Sequence, residues 1–151
     1  MGVLYSIGYL WPLYLGFTQD LWPYHPVTTW ISLIVILSGF GIELMARRQL
    51  VTYGHFPDAQ STKFIQIVDD QRLVTQGLFK YIRHPLYAGR LFWSVGYALL
   101  FSSLLALAFF ILGTVFLIFR IRIEENMLFD EFGDEYSAYK QHTHMLIPCL
   151  L

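Results

Sequence analysis

The sequence has few charged residues and a single cysteine. Asp, Glu, Lys and Arg make up only 14% of its 151 residues, against about 25% in soluble domains. Too few charges remain to cover a water-exposed surface. The lone thiol, Cys149, has no partner for an internal disulfide. The net charge of -1 and the lack of a basic stripe give no indication of a nucleic-acid partner. The composition favours an integral membrane protein over a soluble one.

Motifs typical of soluble enzymes are also missing. The chain contains no GxGxxG, no P-loop and no serine-nucleophile motif. His142 and His144 have no carboxylate or cysteine at metal-ligand spacing, so we expect no metal site. A soluble Rossmann-type domain is excluded by the membrane pattern of the chain.

Long apolar segments dominate instead, at residues 1–17, 27–46 and 86–119. About 20 apolar residues in a helix cross a bilayer core, so the third segment is too long for one span. We expect two helices there, packed as a tight hairpin that turns near Ser102 and Ser103. The predicted fold is an all-α integral membrane protein with about four transmembrane helices. It is one domain, 1–151, made of two N-terminal spans (1–46), a loop (47–85), the helical hairpin (86–119) and a C-terminal segment (120–151).

The basic residues predict the orientation. All ten Lys and Arg lie at or after Arg47, which places the polar segments 47–85 and 120–151 on the cytoplasmic side. In the second of these segments, aromatic residues recur at three- and four-residue spacing. They predict an amphipathic helix on the cytoplasmic membrane face, although a packing role alone would give the same pattern. These aromatics are Phe129, Phe132, Tyr136 and Tyr139.

Two further features leave alternatives open. Glu43 lies near the end of the second span, where it either pairs with the following arginines or serves as a buried functional group. Residues 64–68 and 73–75 have a strand-like pattern, and an irregular loop is the alternative.

The stretch from Leu73 to Gly89, directly before the hairpin, concentrates polar chemistry. Proline suits the first position of a helix, so the third span is predicted to begin at Pro85 with His84 at its cap. A helix N-terminus flanked by Arg83 and Arg90 attracts an anion. The alternative is that the arginines anchor the helix to lipid headgroups and that Tyr87 is an interfacial aromatic.

A second charged group, Arg120 to Glu125, lies at the other end of the hairpin. Arg120 and Glu124 are four residues apart and can pair on a helix. Glu124 and Glu125 point about 100° apart there, so one can face inward while the other faces water. The alternative is a solvated run of charges. Anion donors on one side and carboxylates on the other would suit a zwitterionic ligand.

Three blocks in this order and spacing carry a resemblance to a known family. They are the stretch Leu73–Gly89 with its Arg-His-Pro-Leu-Tyr-Ala-Gly end, the pair Glu124-Glu125, and Phe132-Gly-Asp-Glu-Tyr-Ser-Ala-Tyr139 followed by Ile147-Pro148. Over its C-terminal half the chain resembles the isoprenylcysteine carboxyl methyltransferase and phospholipid methyltransferase group of integral membrane enzymes.

The resemblance implies S-adenosylmethionine as the methyl donor, bound on the cytoplasmic side, and a lipophilic or lipidated acceptor, with a carboxylate favoured. The catalytic residues it implies are Arg120, Glu124 and Glu125. The implied cofactor-binding residues are Gln76, Gly77, Leu78, Tyr81, Arg83, His84, Leu86, Tyr87, Gly89 and Glu125. The chain departs from the family pattern at Phe79, where tyrosine is common, at Gln76, where histidine or proline occurs, and at His142, where arginine is common.

Other functions remain open at this point. A phospholipid or a small thiol is an alternative acceptor. Membrane sterol reductases, which use NADPH, are similar in the C-terminal membrane half, and a non-catalytic membrane module would keep the same fold.

Overall fold

The computed structural model describes residues 25–54 and 72–147. They form three α-helices, α1 (Pro26–Tyr53), α2 (Pro85–Phe101) and α3 (Leu104–Gln141), and one 3-10 turn, Gly77–Lys80. Within these residues there is no β-strand, in agreement with the predicted all-α fold. The predicted first span, residues 1–17, and the strand-like patch at 64–68 lie outside the described part.

Two of the helices, α1 and α3, are long and apolar enough to cross a membrane. Their large apolar side chains are exposed, for example Trp30 and Leu37 on α1 and Phe116 and Phe119 on α3. Apolar faces that point outward from a helix are favourable in lipid and unfavourable in water. Helix α2 has 17 residues and is about 26 Å long at 1.5 Å per residue. The structure therefore supports an integral membrane protein, and the count of four spans stays a prediction.

The described chain divides into two compact units, the first made of residues 25–40 and 90–118. In this unit α1 and α2 approach closely at Gly96. A Cβ atom there would lie 2.6 Å from Cγ1 of Ile36 and 2.9 Å from the carbonyl oxygen of Ser32. The rings of Phe40 and Trp93 stack beside this contact, with centroids 5.5 Å apart. Small residues that let two backbones approach are typical of helix packing in membranes.

The turn between α2 and α3 consists of Ser102 and Ser103, where the apolar segment was predicted to reverse. Ser102 takes a positive φ of 48°, which ends α2. The Ser103 hydroxyl accepts the N–H of Leu105 at 3.3 Å, and its carbonyl accepts the N–H of Leu107 at 3.0 Å. Ser103 is thus the N-cap of α3. The predicted position of the turn is confirmed.

The second unit consists of residues 41–54, 72–89 and 119–147. Helix α1 continues past its predicted span to Tyr53. At the start of this extension Arg47 donates a 2.6 Å hydrogen bond to Glu43 one turn earlier, and both side chains are largely buried. This is the arginine pairing that the sequence left open for Glu43.

Gly133 reverses the direction of the chain within α3. Its φ of 50° and ψ of -119° are not helical. On a straight helix, two residues 15 positions apart would be separated by about 22 Å. Lys140 nevertheless reaches Glu125, 15 residues earlier, at 2.8 Å. Residues 134–147, which we call the C-terminal arm, therefore fold back towards the segment before α2.

Candidate active site

An apolar cluster places the segment before α2 against the end of α1. Ala46 of α1 and Val74 and Phe79 of the segment are buried together, and Leu50, Leu78 and Leu86 pack around them. The N–H of Arg72 donates to the carbonyl of Gly54 at 3.2 Å. Residues 73–75 are irregular and not a strand. This cluster fixes the start of the Leu73–Gly89 stretch within the second unit.

The C-terminal arm pairs with the residues immediately before α2. Ile82 and His144 form an isolated parallel β-bridge. Around it, the N–H of Arg83 donates to the carbonyl of His144 at 2.8 Å, and the N–H of His84 donates to the carbonyl of Met145 at 3.1 Å. Helix α2 then begins at Pro85, as predicted. The backbone donors of Arg83 and His84, just before the helix, are therefore bound to the arm.

The guanidinium of Arg83 connects α3 to the arm. Its Nε donates to Oε1 of Glu125 at 2.9 Å, and the two side chains are only 9% and 12% exposed. Its Nη1 donates to the carbonyls of Lys140, at 3.2 Å, and Thr143. Lys140 completes the cluster with a 2.8 Å bond to the other oxygen of Glu125. Arg83 and Glu125 are therefore engaged with each other and with the arm.

The charge of Glu125 is stabilised by this cluster, which lies past the apolar stretch that ends at Phe119. Burial alone raises the pKa of the carboxyl group, but contacts from His84, Lys140 and Arg83 outweigh burial and hold the pKa well below its ordinary value of 4.5. Glu125 is therefore ionised at any physiological pH.

Glu124 and Arg120 meet through the hydroxyl group of Tyr87. Tyr87 donates to Oε2 of Glu124 at 2.6 Å and accepts from Nε of Arg120 at 2.8 Å. The predicted pairing of Arg120 with Glu124 is thus mediated by a residue of α2. The Glu124 side chain is 31% exposed, against 12% for Glu125. Both carboxylates contact residues at the start of α2, and Glu124 is the more exposed of the two, as the angle between them on the helix allows.

His84 lies between the two carboxylates. Its Nε2 is 3.4 Å from Oε1 of Glu125, and its Nδ1 is 3.9 Å from Oε1 of Glu124. Nε2 and the hydroxyl of Tyr136 are buried, and in the described part of the chain neither has a hydrogen-bond partner of good geometry. The Tyr136 hydroxyl lies within electrostatic reach of Glu125. Buried polar atoms are normally hydrogen-bonded, and both of these atoms lie beside the Glu125 carboxylate without a well-formed hydrogen bond.

The structure thus brings together six of the residues singled out from the sequence, and places the others around them. The network consists of Arg83, His84, Tyr87, Arg120, Glu124 and Glu125. Gly77 and Leu78 lie against Gln49 of α1, Leu86 packs on the apolar cluster, and Gly89 is buried. Gln76 is exposed, as is Tyr81, whose ring has Lys80 Nζ 5.9 Å from its centroid.

Sequence reasoning missed several residues that hold this network. Lys140 and Thr143 of the arm bind Arg83 and Glu125, and Tyr139 donates to the carbonyl of Phe79 at 2.7 Å. Tyr136 is 1% exposed. The spacing of Tyr136 and Tyr139 was the available signal, and the sequence left a membrane-face helix and a packing role open. The burial of Tyr136 and the bond of Tyr139 to Phe79 support packing, and the amphipathic helix on the membrane face stays a prediction. The described residues contain no group of three or more potential metal ligands.

The sequence is similar to proteins of a known family. Residues 43–130 match the isoprenylcysteine carboxyl methyltransferase (ICMT) family. A probable protein-S-isoprenylcysteine O-methyltransferase of Oryza sativa subsp. indica is 32% identical over 80% of this chain and 61% of its own. The protein-S-isoprenylcysteine O-methyltransferase of Homo sapiens is 29% identical over 89% of this chain and 48% of its own.

A bacterial relative and a solved structure extend the comparison. Methanethiol S-methyltransferase 1 of Bradyrhizobium diazoefficiens is 40% identical over 51% of this chain and 26% of its own. The structure of a eukaryotic intramembrane Ras methyltransferase, ICMT, superimposes with a TM-score of 0.73 at 26% identity, covering 97% of this chain and 53% of that one. The chain spans about half to three fifths of the length of the isoprenylcysteine relatives in Oryza sativa and Homo sapiens. Since the family match covers more than half of the chain, the protein belongs to the isoprenylcysteine carboxyl methyltransferase family.

Proposed function

We propose that this protein transfers a methyl group from S-adenosylmethionine to a lipophilic carboxylate of the isoprenylcysteine type, at a site on the cytoplasmic side of the membrane. The observation that carries the proposal is the network of two glutamates, two arginines and Tyr87 at the start of α2. It occurs in a family named for carboxyl methylation.

The residues present fit the methyl donor chemically. Two buried polar atoms, Nε2 of His84 and the Tyr136 hydroxyl, lie beside the ionised Glu125 and make no hydrogen bond of good geometry in the described chain. S-adenosylmethionine supplies an electrophilic methyl group on a sulfonium and carries a zwitterionic amino acid part. Carboxylates and aromatic rings suit a diffuse cation, and both are present in Glu124, Glu125 and Tyr87. As predicted from the resemblance, residues 76–78, Tyr81, Leu86 and Gly89 would complete the cofactor-binding surface.

The two carboxylates have different roles. Glu125 is bound to Arg83 and Lys140, so its role is to hold the arm closed over the start of α2 and to maintain a fixed negative charge. Glu124 is more exposed and has one oxygen engaged by Tyr87. Glu124 and Arg120 are therefore the pair best placed to contact an acceptor. Arg120 would orient the carboxylate of the acceptor.

A carboxylate acceptor needs no general base. Carboxyl groups titrate near pH 4 and are ionised at neutral pH, so the protein has only to align the acceptor oxygen with the methyl carbon and exclude water. A thiol acceptor would need a proton acceptor, for which Glu124 and His84 are the candidates. Thiol methylation is the second candidate function, because the methanethiol S-methyltransferase relative is 40% identical over the matched 83 residues.

The test is methyl transfer by the purified protein in lipid nanodiscs with a labelled methyl donor. A farnesylcysteine derivative, phosphatidylethanolamine and methanethiol are supplied as separate acceptors. We expect labelled ester from the first at a rate that is flat between pH 6 and 8. Transfer to methanethiol with a rate rising with pH would instead favour the second candidate. Calorimetry that detects NADPH binding and no S-adenosylhomocysteine binding would refute both.

A further inference from the structure

The 3-10 turn Gly77–Lys80 is held by a residue of another helix. Oε1 of Gln49, near the end of α1, accepts the N–H of Leu78 at 2.9 Å, across 29 residues of sequence. Gln76 precedes the turn, but its side chain makes no capping hydrogen bond. The first N–H groups of a helical turn have no partner within it and normally bind the side chain of the N-cap residue. Gln49, which is remote in sequence, supplies that acceptor instead.

Gly77 fits the same contact. Its φ of +63° is in the left-handed region, and a Cβ atom added to it would lie 2.6 Å from Cδ, Nε2 and Oε1 of Gln49. The carboxamide therefore lies directly against the glycine, and any side chain at position 77 would displace it. The absence of a side chain at position 77 therefore leaves room for the acceptor group at position 49.

The contacts around this hydrogen bond are apolar. Ala46 and Leu50 on α1 pack against Val74, Leu78 and Phe79. Apolar packing is non-directional and does not by itself fix the register of a short turn on a helix. A single hydrogen bond with a defined direction does. Gln49 is thus the polar group that sets where the backbone of residues 76–78 lies relative to α1.

We propose that Gln49 is a positioning residue for the cofactor. It presents the turn that begins at Gly77 in the conformation that binds S-adenosylmethionine, and so tunes affinity for the methyl donor without contacting the acceptor. The proposal rests on the proposed function, because the role of residues 76–78 in cofactor binding is part of it.

The test compares Gln49→Met, which keeps the length of the side chain and loses the acceptor, with Gln49→Glu, which keeps the acceptor. In the ligand-free protein in detergent, amide hydrogen exchange is measured at Leu78. We expect exchange to be about 3- to 10-fold faster in the Met variant, the factor set by one hydrogen bond, and close to wild type in the Glu variant. Calorimetry should show S-adenosylhomocysteine affinity weakened by a similar factor in the Met variant and recovered in the Glu variant. KM for the methyl donor should rise with kcat unchanged.

A control variant separates the contact from general effects. Arg48→Met changes the exposed neighbouring position on α1, and it should not speed exchange at Leu78.

The outcomes are distinct. Unchanged exchange at Leu78 in Gln49→Met would overturn the proposal, and so would faster exchange with unchanged S-adenosylhomocysteine affinity. If the wild-type protein binds no S-adenosylhomocysteine, the proposed function fails and with it the assignment of Gln49 to the cofactor. The exchange measurement would still establish whether Gln49 caps the turn.

Discussion

Neighbouring glutamates in one network should respond very differently to the same substitution. Glu125→Gln removes a charge that faces the Arg83 guanidinium, and both side chains of this pair are about nine-tenths buried. Breaking a buried ion pair costs about 3–5 kcal/mol. The glutamine carbonyl can still accept one hydrogen bond from Arg83, so we expect a loss of about 2–4 kcal/mol in the free energy of unfolding.

Glu124→Gln is the matched control. Glu124 is 31% exposed, and its hydrogen bond comes from the neutral hydroxyl of Tyr87. A glutamine carbonyl accepts that bond as well, so the expected loss of stability is below about 1 kcal/mol. Glu124→Gln should nevertheless lose activity, because Glu124 is joined to Arg120 through the Tyr87 hydroxyl. We expect Glu124→Gln to keep its fold and lose turnover, and Glu125→Gln to lose both stability and donor affinity.

Thermal unfolding followed by tryptophan fluorescence in detergent measures the difference. For a chain of this size 1 kcal/mol corresponds to a Tm shift of about 2–4 °C, so Glu125→Gln should unfold roughly 5–15 °C below wild type, and Glu124→Gln within about 4 °C of it. Equal Tm values for the two variants would refute the division of roles. A large Tm loss in Glu124→Gln alone would show that the two roles are reversed.

Three further predictions follow from single features. Gly133→Ala should lower the free energy of unfolding by about 1–3 kcal/mol, because φ is 50° there. Urea titration measures this loss. Gly41→Ala is the control, since position 41 is equally uncrowded but has no positive φ, and it should be neutral or stabilising. Tyr87→Phe should reduce kcat by about 10- to 100-fold by removing the hydroxyl that joins Arg120 to Glu124; a kcat within twofold of wild type would contradict this role. Folding lowers the pKa of Glu125 from 4.5. The ionised carboxylate therefore contributes its full stabilisation above about pH 4.5, and this contribution is lost as the pH falls from there towards the lower pKa of the folded state. Glu125→Gln should flatten this acid dependence of Tm, and a curve parallel to wild type would contradict the assignment.

Much of the architecture was accessible from sequence because the signals are local. The reversal at Ser102-Ser103 follows from the length of the apolar segment, and the start of α2 from the fit of proline to the first helical turn. The approach of Tyr87 to Glu124 follows from both, since a hairpin with a two-residue turn brings its far ends together.

The contacts of the C-terminal arm were not predictable in the same way. Three- and four-residue spacing of Tyr136 and Tyr139 indicates one helix face, but it does not say what that face meets. The answer depends on the backward turn at Gly133, and a glycine inside a helical pattern is compatible with both a straight and a broken helix. Gln49 was missed for a similar reason, because its partner is a backbone N–H 29 residues away and leaves no pattern of side chains.

The binding of Arg83 by the C-terminal arm has a consequence for the order in which the protein is made. The carbonyl groups of Lys140 and Thr143 that receive this guanidinium are translated 57 and 60 residues after it. At about 5–20 residues per second, roughly 3–12 s pass between the synthesis of Arg83 and that of these carbonyl groups. The apolar part of α3 is synthesised in this interval. The helices can thus enter the bilayer before the polar network exists, and the network closes only after the C-terminal arm has left the ribosome. A nascent chain that stalls before the arm emerges would be inserted in the membrane and yet be unable to hold Arg83 in place.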